Sequence, residues 1–210
     1  GKQVRAVASY TDGHGTAESV ASSAAAVANL NDALIGEVGV GGTPTQGQTL
    51  TASNTLADAD GLGTVGYQWQ SSSDGTNWSD VAGATGSSFT LGEAQVGRQM
   101  RTVASYTDGH GIPESKASAA TAAIANVNDA PTGSVTVTGT ATQNQTLSAA
   151  NTLADADGLG TIGYQWQSSS DGTIWSAISG ATAESFTLSE AQVGKQVRAV
   201  ASYTDGHGTA

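Results

Sequence analysis

The chain repeats itself, and a repeat of domain length leaves few folds open. Residues 1–17, GKQVRAVASYTDGHGTA, recur letter for letter at 194–210, and a diverged copy, GRQMRTVASYTDGHGIP, occupies 97–113. NTLADADGLGTVGYQWQSSSDGTNW begins at 54 and returns at 151 as NTLADADGLGTIGYQWQSSSDGTIW, a period of 97 residues. NLNDA at 29–33 returns as NVNDA at 126–130. A unit near 100 residues is too long for a solenoid repeat and long enough to bury its own core. The period divides the chain into residues 1–30, the tail of one repeat; 31–127, a complete repeat; and 128–210, a repeat without its last strand. Because the chain begins and ends inside repeats rather than in linkers, it reads as a piece of a longer array.

Within the complete repeat, apolar residues recur with period two, the signature of strands. Val65, Tyr67 and Trp69 alternate with Gly66, Gln68 and Gln70; Met100, Thr102, Ala104 and Tyr106 share one face of a later segment. Turn signals separate the runs: Asp-Gly at 74–75, Gly-Ala at 83–84, Asp-Gly at 108–109. The pattern predicts seven strands: A (36–41), B (48–55), C (64–72), C′ (78–82), E (87–91), F (98–107) and G (113–124). The Ala-rich stretch 117–125 could be helical, but Ser and Thr interrupt it and it is needed to close a sheet. Short strands separated by turns point to a sandwich or barrel. Trp69 and Trp166 on strand C occupy the core position of an immunoglobulin-like sandwich. The expected fold is all-β: tandem immunoglobulin-like antiparallel β-sandwiches with Greek-key connections. Cysteine is absent, so no disulfide stands beside these tryptophans.

Strand direction places the acids. Strands B and F both return toward the linker, so the loops LADADGLG (56–63) and YTDGHG (106–111) lie at the linker pole. Asn31 and Asp32 of the linker, Asp58 and Asp60, and Asp108 therefore converge; Asn128, Asp129, Asp155, Asp157 and Asp205 repeat the set. Carboxylates gathered at one pole repel unless neutralised. Calcium takes six to eight oxygen ligands in a flexible shell, and Asp-X-Asp-Gly suits it. Magnesium demands a stricter octahedron, and zinc prefers His and Cys. These ten residues are the candidate Ca2+ ligands. Glu18 and Glu114 begin strand G near the same pole and are candidates for extra ligands. Asp74 and Asp171 read as hairpin-turn formers, and His14, His110 and His207 as solvated loop residues.

Eighteen acids against seven bases give a net charge of −11, which excludes the basic stripe that nucleic-acid binding needs. No apolar run approaches the roughly 20 residues of a membrane-spanning helix. The pair Asp58 and Asp60 lies too close in one loop for the two-carboxylate hydrolysis of glycosidases, and no GxSxG, HExxH or phosphate loop occurs. An enzyme is not expected. A calcium-dependent binder of carbohydrate or protein is the alternative, but both tryptophans of each repeat fit structural positions.

The succession NDAP, LADADGLG, YQWQSSSDGTxW, GATxxSFTL and VGxQVRxVASYTDGHG resembles the repeat units of giant bacterial RTX-type and cadherin-like, calcium-dependent surface adhesins. The resemblance covers the whole chain. It implies extender repeats stiffened by calcium at their linkers, a secreted or surface location and export by type I secretion. One departure stands out: the second linker reads NDAP (128–131) and the first NDAL (31–34), so Leu34 lacks the φ restraint of proline. The partners so implied are neighbouring repeats of the same chain, with head-to-tail strand exchange between copies as a further expectation.

Overall fold

Period-two patterning gives antiparallel strands throughout the computed structural model, which describes residues 1–210. Residues 1–28 form two short ladders: β1 (Gln3–Val4) with β4 (Ala25–Ala26), and β2 (Val7–Thr11) with β3 (Ala17–Ala21). Every residue of these four strands is exposed.

The first full repeat contains β5 (Val38–Gly41), β6 (Thr49–Asn54), β7 (Gly66–Ser72), β8 (Ser79–Asp80), β9 (Ser88–Thr90), β10 (Gln99–Thr107) and β11 (Pro113–Ala117). They form a three-stranded sheet, β5-β6-β9, and a four-stranded sheet, β11-β10-β7-β8, every pairing antiparallel. Inward residues of the two sheets meet in a sandwich-like arrangement. Val38 from β5 packs with Leu56, Ala104 and Tyr106, with Leu34, Val65 and Tyr67 against them. Trp69 on β7 is fully buried, its ring 6.0 Å from that of Phe89 on β9, and its indole N–H donates to the carbonyl of Gly86. The alternation of β10 is strict: Met100, Thr102, Ala104 and Tyr106 point inward.

The second repeat contains β12 (Val135–Thr138), β13 (Thr146–Asn151), β14 (Gly163–Ser169), β15 (Ser176–Ala177), β16 (Ser185–Thr187) and β17 (Gln196–Ser202). The sheets are β12-β13-β16 and β15-β14-β17. Trp166 is fully buried with Leu147, Ala149, Tyr164, Ala181 and Leu188.

The expected strands are present and each is shorter than expected, C′ and G by the most. C′ contracts to the two residues of β8, because the chain turns at 81–84: Val81 N–H still donates to the Trp69 carbonyl, but Trp69 N–H donates to the carbonyl of Ala84, and the Gln68 amide donates to the carbonyls of Trp69 and Val81 as well. Strand G ends at Ala117, beyond which Ser118 and Thr121 bond to Thr102 and Met100 one at a time, partly through their hydroxyls. No helix forms in 117–125.

By contact density the chain divides into two units, and the division does not follow the repeat. The first comprises Gly1–Pro44, Gln48–Thr90 and Arg98–Ala123; the second comprises Thr45–Gly47, Leu91–Gly97 and Ile124–Ala210.

Candidate metal centre

In the first unit the loops after β6 and β10 touch through backbone. Gly109 N–H donates to the carbonyls of Asp60 and Gly61, at 3.1 and 3.2 Å. A Cβ on Gly63 would lie 2.1 Å from the carbonyl oxygen of Thr107, and one on Gly109 would lie 2.5 Å from that of Asp60. The glycines of DGLG and DGHG are therefore what lets the two acidic loops meet. Gly160 and Gly206 do the same in the second unit, at 2.0 Å from Thr204 and 2.5 Å from Asp157.

Asp58 and Asp108 each spend one oxygen on their own turn. Asp58 Oδ1 accepts from Asp60 N–H at 2.8 Å, and Asp108 Oδ1 accepts from the N–H groups of His110 and Ile112, both at 2.8 Å. These are Asx turns. Asp60 Oδ2 accepts from Asp32 N–H at 2.7 Å, which fastens the linker to the loop, and Asp60 Oδ1 lies 3.4 Å from His110 Nδ1. Asp58 Oδ2 and Glu114 Oε2 both lie 2.6 Å from the Tyr106 hydroxyl. One phenol proton cannot serve two carboxylates at once. Burial first, then the two carboxylates, push Tyr106 far above the usual phenol range; the same hydroxyl holds Asp58 below the usual carboxylate range. Asn31 donates to Glu114 Oε1 at 2.9 Å. Asp108 Oδ2 is buried with no partner. Asp60, Asp108 and His110 each place a ligand atom within 4.8 Å of the others.

The second unit repeats this frame with one exchange. Asp129 N–H donates to Asp157 Oδ2 at 2.6 Å, and Asp155 Oδ1 accepts from Asp157 N–H at 3.0 Å. Asp155 Oδ2 accepts from the Tyr203 hydroxyl, which that bond pushes up to about 12. Asp205 Oδ1 accepts from the N–H groups of His207 and Thr209; its carboxyl is held below the usual range, chiefly by the Thr209 N–H. Asn128 donates to its neighbour's carbonyl at 3.2 Å and does not reach the acids. Here the cluster within 4.8 Å is Glu93, Asp157 and His207, and two of its oxygens, Glu93 Oε2 and Asp157 Oδ1, are buried without partners. His207 Nε2 lies 3.3 Å from Glu93 Oε1, and Gln46 donates to Asp129 Oδ2 at 2.9 Å.

The structure thus draws Asp32, Asp58, Asp60 and Asp108 together with Glu114, and Asp129, Asp155, Asp157 and Asp205 together in turn. Asp74 differs. Its Oδ1 accepts from Thr76 and Asn77 N–H and its Oδ2 from the Asn77 amide, so its acceptors are satisfied within one hairpin. The aromatic faces of Trp78 and Trp175 are covered by the guanidinium groups of Arg101 and Arg198, at 4.3 and 4.2 Å.

Two kinds of residue escaped the sequence. His110 and His207 join the clusters; their D-x-H spacing from Asp108 and Asp205 was a usable sign, since an Asx turn folds residue i+2 back over the carboxylate. Glu93 and Gln46 carried no sign, because nothing in GEAQVG or TQGQ marks either as an acid-pole residue.

Two antiparallel all-β repeats with an acidic pole apiece define the class. Two segments, residues 40–126 and 137–209, match one family model, and the chain belongs to that family, described as a domain of unknown function (DUF8696). No curated protein matches it.

Proposed function

We propose that this chain is a run of immunoglobulin-like, cadherin-like extender repeats with Greek-key connections, and that each acidic pole binds a calcium ion that stiffens the array. The carrying observation is the set of buried carboxylate oxygens without partners, Asp108 Oδ2 and Asp157 Oδ1, on residues 6% and 4% exposed. A buried acceptor left unpaired costs about 1–3 kcal/mol, more when charged, and it persists at the same pole of both repeats. The shared phenol proton of Tyr106 adds a second deficit of positive charge at that pole.

The donors fit the ion. Asp60 and Asp108, supported by Asp58, Glu114 and nearby backbone carbonyls, offer the oxygen-rich set that calcium takes. The Asp32–Asp60 bond means that an ion on Asp60 also orders the linker segment. Calcium at a hundred times its Kd would stabilise the ordered pole by about 2.7 kcal/mol. Extracellular modules bind calcium at about 0.1–1 mM, so the array would be stiff outside a cell and pliable within it. That suits the extended stalk of a secreted or surface-held adhesin, the role that the repeat motifs resemble.

His110 and His207 favour a second reading, a borderline-soft divalent ion such as zinc held by imidazole and carboxylate. Thermal melts in calcium, magnesium, zinc and chelator test both. A midpoint raised by calcium and not by magnesium supports the calcium pole; a rise with zinc alone supports the second reading. Identical midpoints in all four refute an ion at the pole.

A further inference from the structure

Gln46 lies in TQGQ, the turn ahead of β6, and precedes Asp129 by 83 residues, yet both belong to the second unit. The segment 45–47 runs beside the linker there: Thr45 and Ala125 form a parallel bridge, and Gln46 N–H donates to the Ala125 carbonyl at 3.0 Å. The half-buried side chain then makes two bonds of opposite sense. Its Oε1 accepts from Val127 N–H at 3.0 Å, and its Nε2 donates to Asp129 Oδ2 at 2.9 Å. The bonds to Ala125 and Val127 tie one stretch of backbone to another. The bond to Asp129 differs in kind, because its acceptor is a candidate ion ligand.

Asp129 is thereby held at two points. Its N–H donates to Asp157 Oδ2 at 2.6 Å, and the Gln46 amide occupies its Oδ2, so Oδ1 alone of its carboxylate oxygens accepts from no protein group. Asp157 is buried, its Oδ1 has no partner, and it stands within 4.8 Å of Glu93 and His207. An orphan of that kind asks for a cation, since a buried acceptor left unpaired is costly. Carboxylates that ligate a metal are themselves hydrogen-bonded, and removing such outer partners costs about 10–100-fold in metal affinity. Glutamine suits the task because its amide carries a donor on one atom and an acceptor on the other. One side chain serves both the Asp129 carboxylate and the Val127 N–H; an ionised glutamate could not donate to a second carboxylate.

We propose that Gln46 is a positioning residue of the second acidic pole, fixing the Asp129 carboxylate so that Oδ1 is available to the ion. The inference rests on the calcium reading of that pole and adds a means of control to it. By period Gln46 belongs to the repeat 31–127 and Asp129 to the repeat that follows, so the sequence of one repeat sets the ion affinity of the next. A change in the TQGQ turn tunes that pole without altering any ligand.

Isothermal calorimetry with calcium, in an Asp108→Asn background so that the second pole alone is read, tests this. Gln46→Met keeps the length of the side chain and the backbone bond to Ala125 but loses both side-chain bonds. Calcium affinity should fall about 10–100-fold. Asp129→Ala should also weaken calcium, and adding Gln46→Met to it should cost no further affinity, because the glutamine acts through that carboxylate. Melts in chelator show that each variant folds, and there the lost Val127 bond should lower the midpoint equally with and without Asp129. If Gln46→Met lowers calcium affinity by the same factor in both backgrounds, the side chain is only a tie and the proposal is overturned. Equal affinity in the Gln46→Met variant and its parent also overturns it, and leaves the ion at the pole standing. A parent that takes up no calcium refutes the ion itself, and this proposal with it.

Discussion

Replacing Asp108 by Asn and by Ala separates two tasks carried by one carboxylate. Oδ1 closes the turn by accepting from His110 and Ile112 N–H, and Oδ2 faces the cluster without a partner. Bonds to a charged acceptor contribute about 1.5–3 kcal/mol each, against about 1 for neutral ones. In chelator, Ala loses both bonds, about 3–6 kcal/mol, and like Asn sheds the charge repulsion, about 3 kcal/mol, so it should destabilise the first unit by about 1–3 kcal/mol. Asn keeps both in weaker form and loses about 1–2. Either variant removes one of two like charges: carboxylates within 4.8 Å repel by roughly 3 kcal/mol at an effective dielectric near 20. With both side chains buried, at 6% exposure for Asp108 and 5% for the Asp60 side chain, solvent screens little of that. Asn should therefore match or exceed the wild type in chelator. Calcium should then reverse the order, adding about 2.7 kcal/mol to the wild type at a hundred times its Kd and far less to either variant. Differential scanning calorimetry reads this directly, since 1 kcal/mol moves the midpoint of such a unit by about 4–8 °C. If calcium raises the wild type and the Asn variant equally, Oδ2 does not hold the ion and the assignment is wrong.

Gly63→Ala should break the contact between the acidic loops, because its Cβ would sit 2.1 Å from the Thr107 carbonyl oxygen; a loss of about 1–3 kcal/mol and a weakened calcium response in the same melt are expected. Trp69→Ala should cost about 3–5 kcal/mol, measured by urea unfolding, since the residue is fully buried. Asp58 has its carboxyl held low chiefly by the Tyr106 hydroxyl. A lowered folded-state value gives stability that is present above the unfolded value near 3.9 and lost as pH falls through the folded one. Tyr106→Phe should thus flatten the acid limb of the midpoint-against-pH curve below about pH 4; an unchanged limb would show that the bond does not set Asp58. Tyr203, pushed up to about 12, has the opposite sign: its contribution is present below the usual phenol value near 10 and disappears between there and 12. Ultraviolet titration of Asp155→Ala should return that phenol toward its ordinary range.

The strands were legible where one face is apolar and the other polar. The alternation at 66–70 and 100–106 lies on β7 and β10, and the turn pairs at 74–75 and 108–109 fall between strands. Lengths were less legible: β8 ends where the chain turns at 81–84 and hands the Trp69 N–H to Ala84, and β11 ends where the Ser118 and Thr121 hydroxyls enter the ladder. Propensity encodes neither the early turn nor the substitution of hydroxyl for backbone. At the candidate site, the meeting of 56–63 with 106–111 follows from strand direction alone. The place of Glu93 does not, since a short turn carrying a single acid has no periodicity to align it with a loop more than sixty residues later.

The two borders of the β11-β10-β7-β8 sheet are finished differently, and that bears on how near-identical neighbours avoid tangling. Adjacent domains of close sequence invite cross-pairing while they fold, because each strand finds a second template within reach. Beside β8 the border offers little to a foreign strand: two residues, with Gln68 filling the next carbonyls and Gln70 donating to Asp80 at 2.8 Å. At the opposite border β11 already pairs with β10, from Val103↔Ala117 to Thr107↔Pro113. Once β11 is in place, neither border of this sheet leaves a long inner-strand edge for the near-identical neighbouring repeat to pair with.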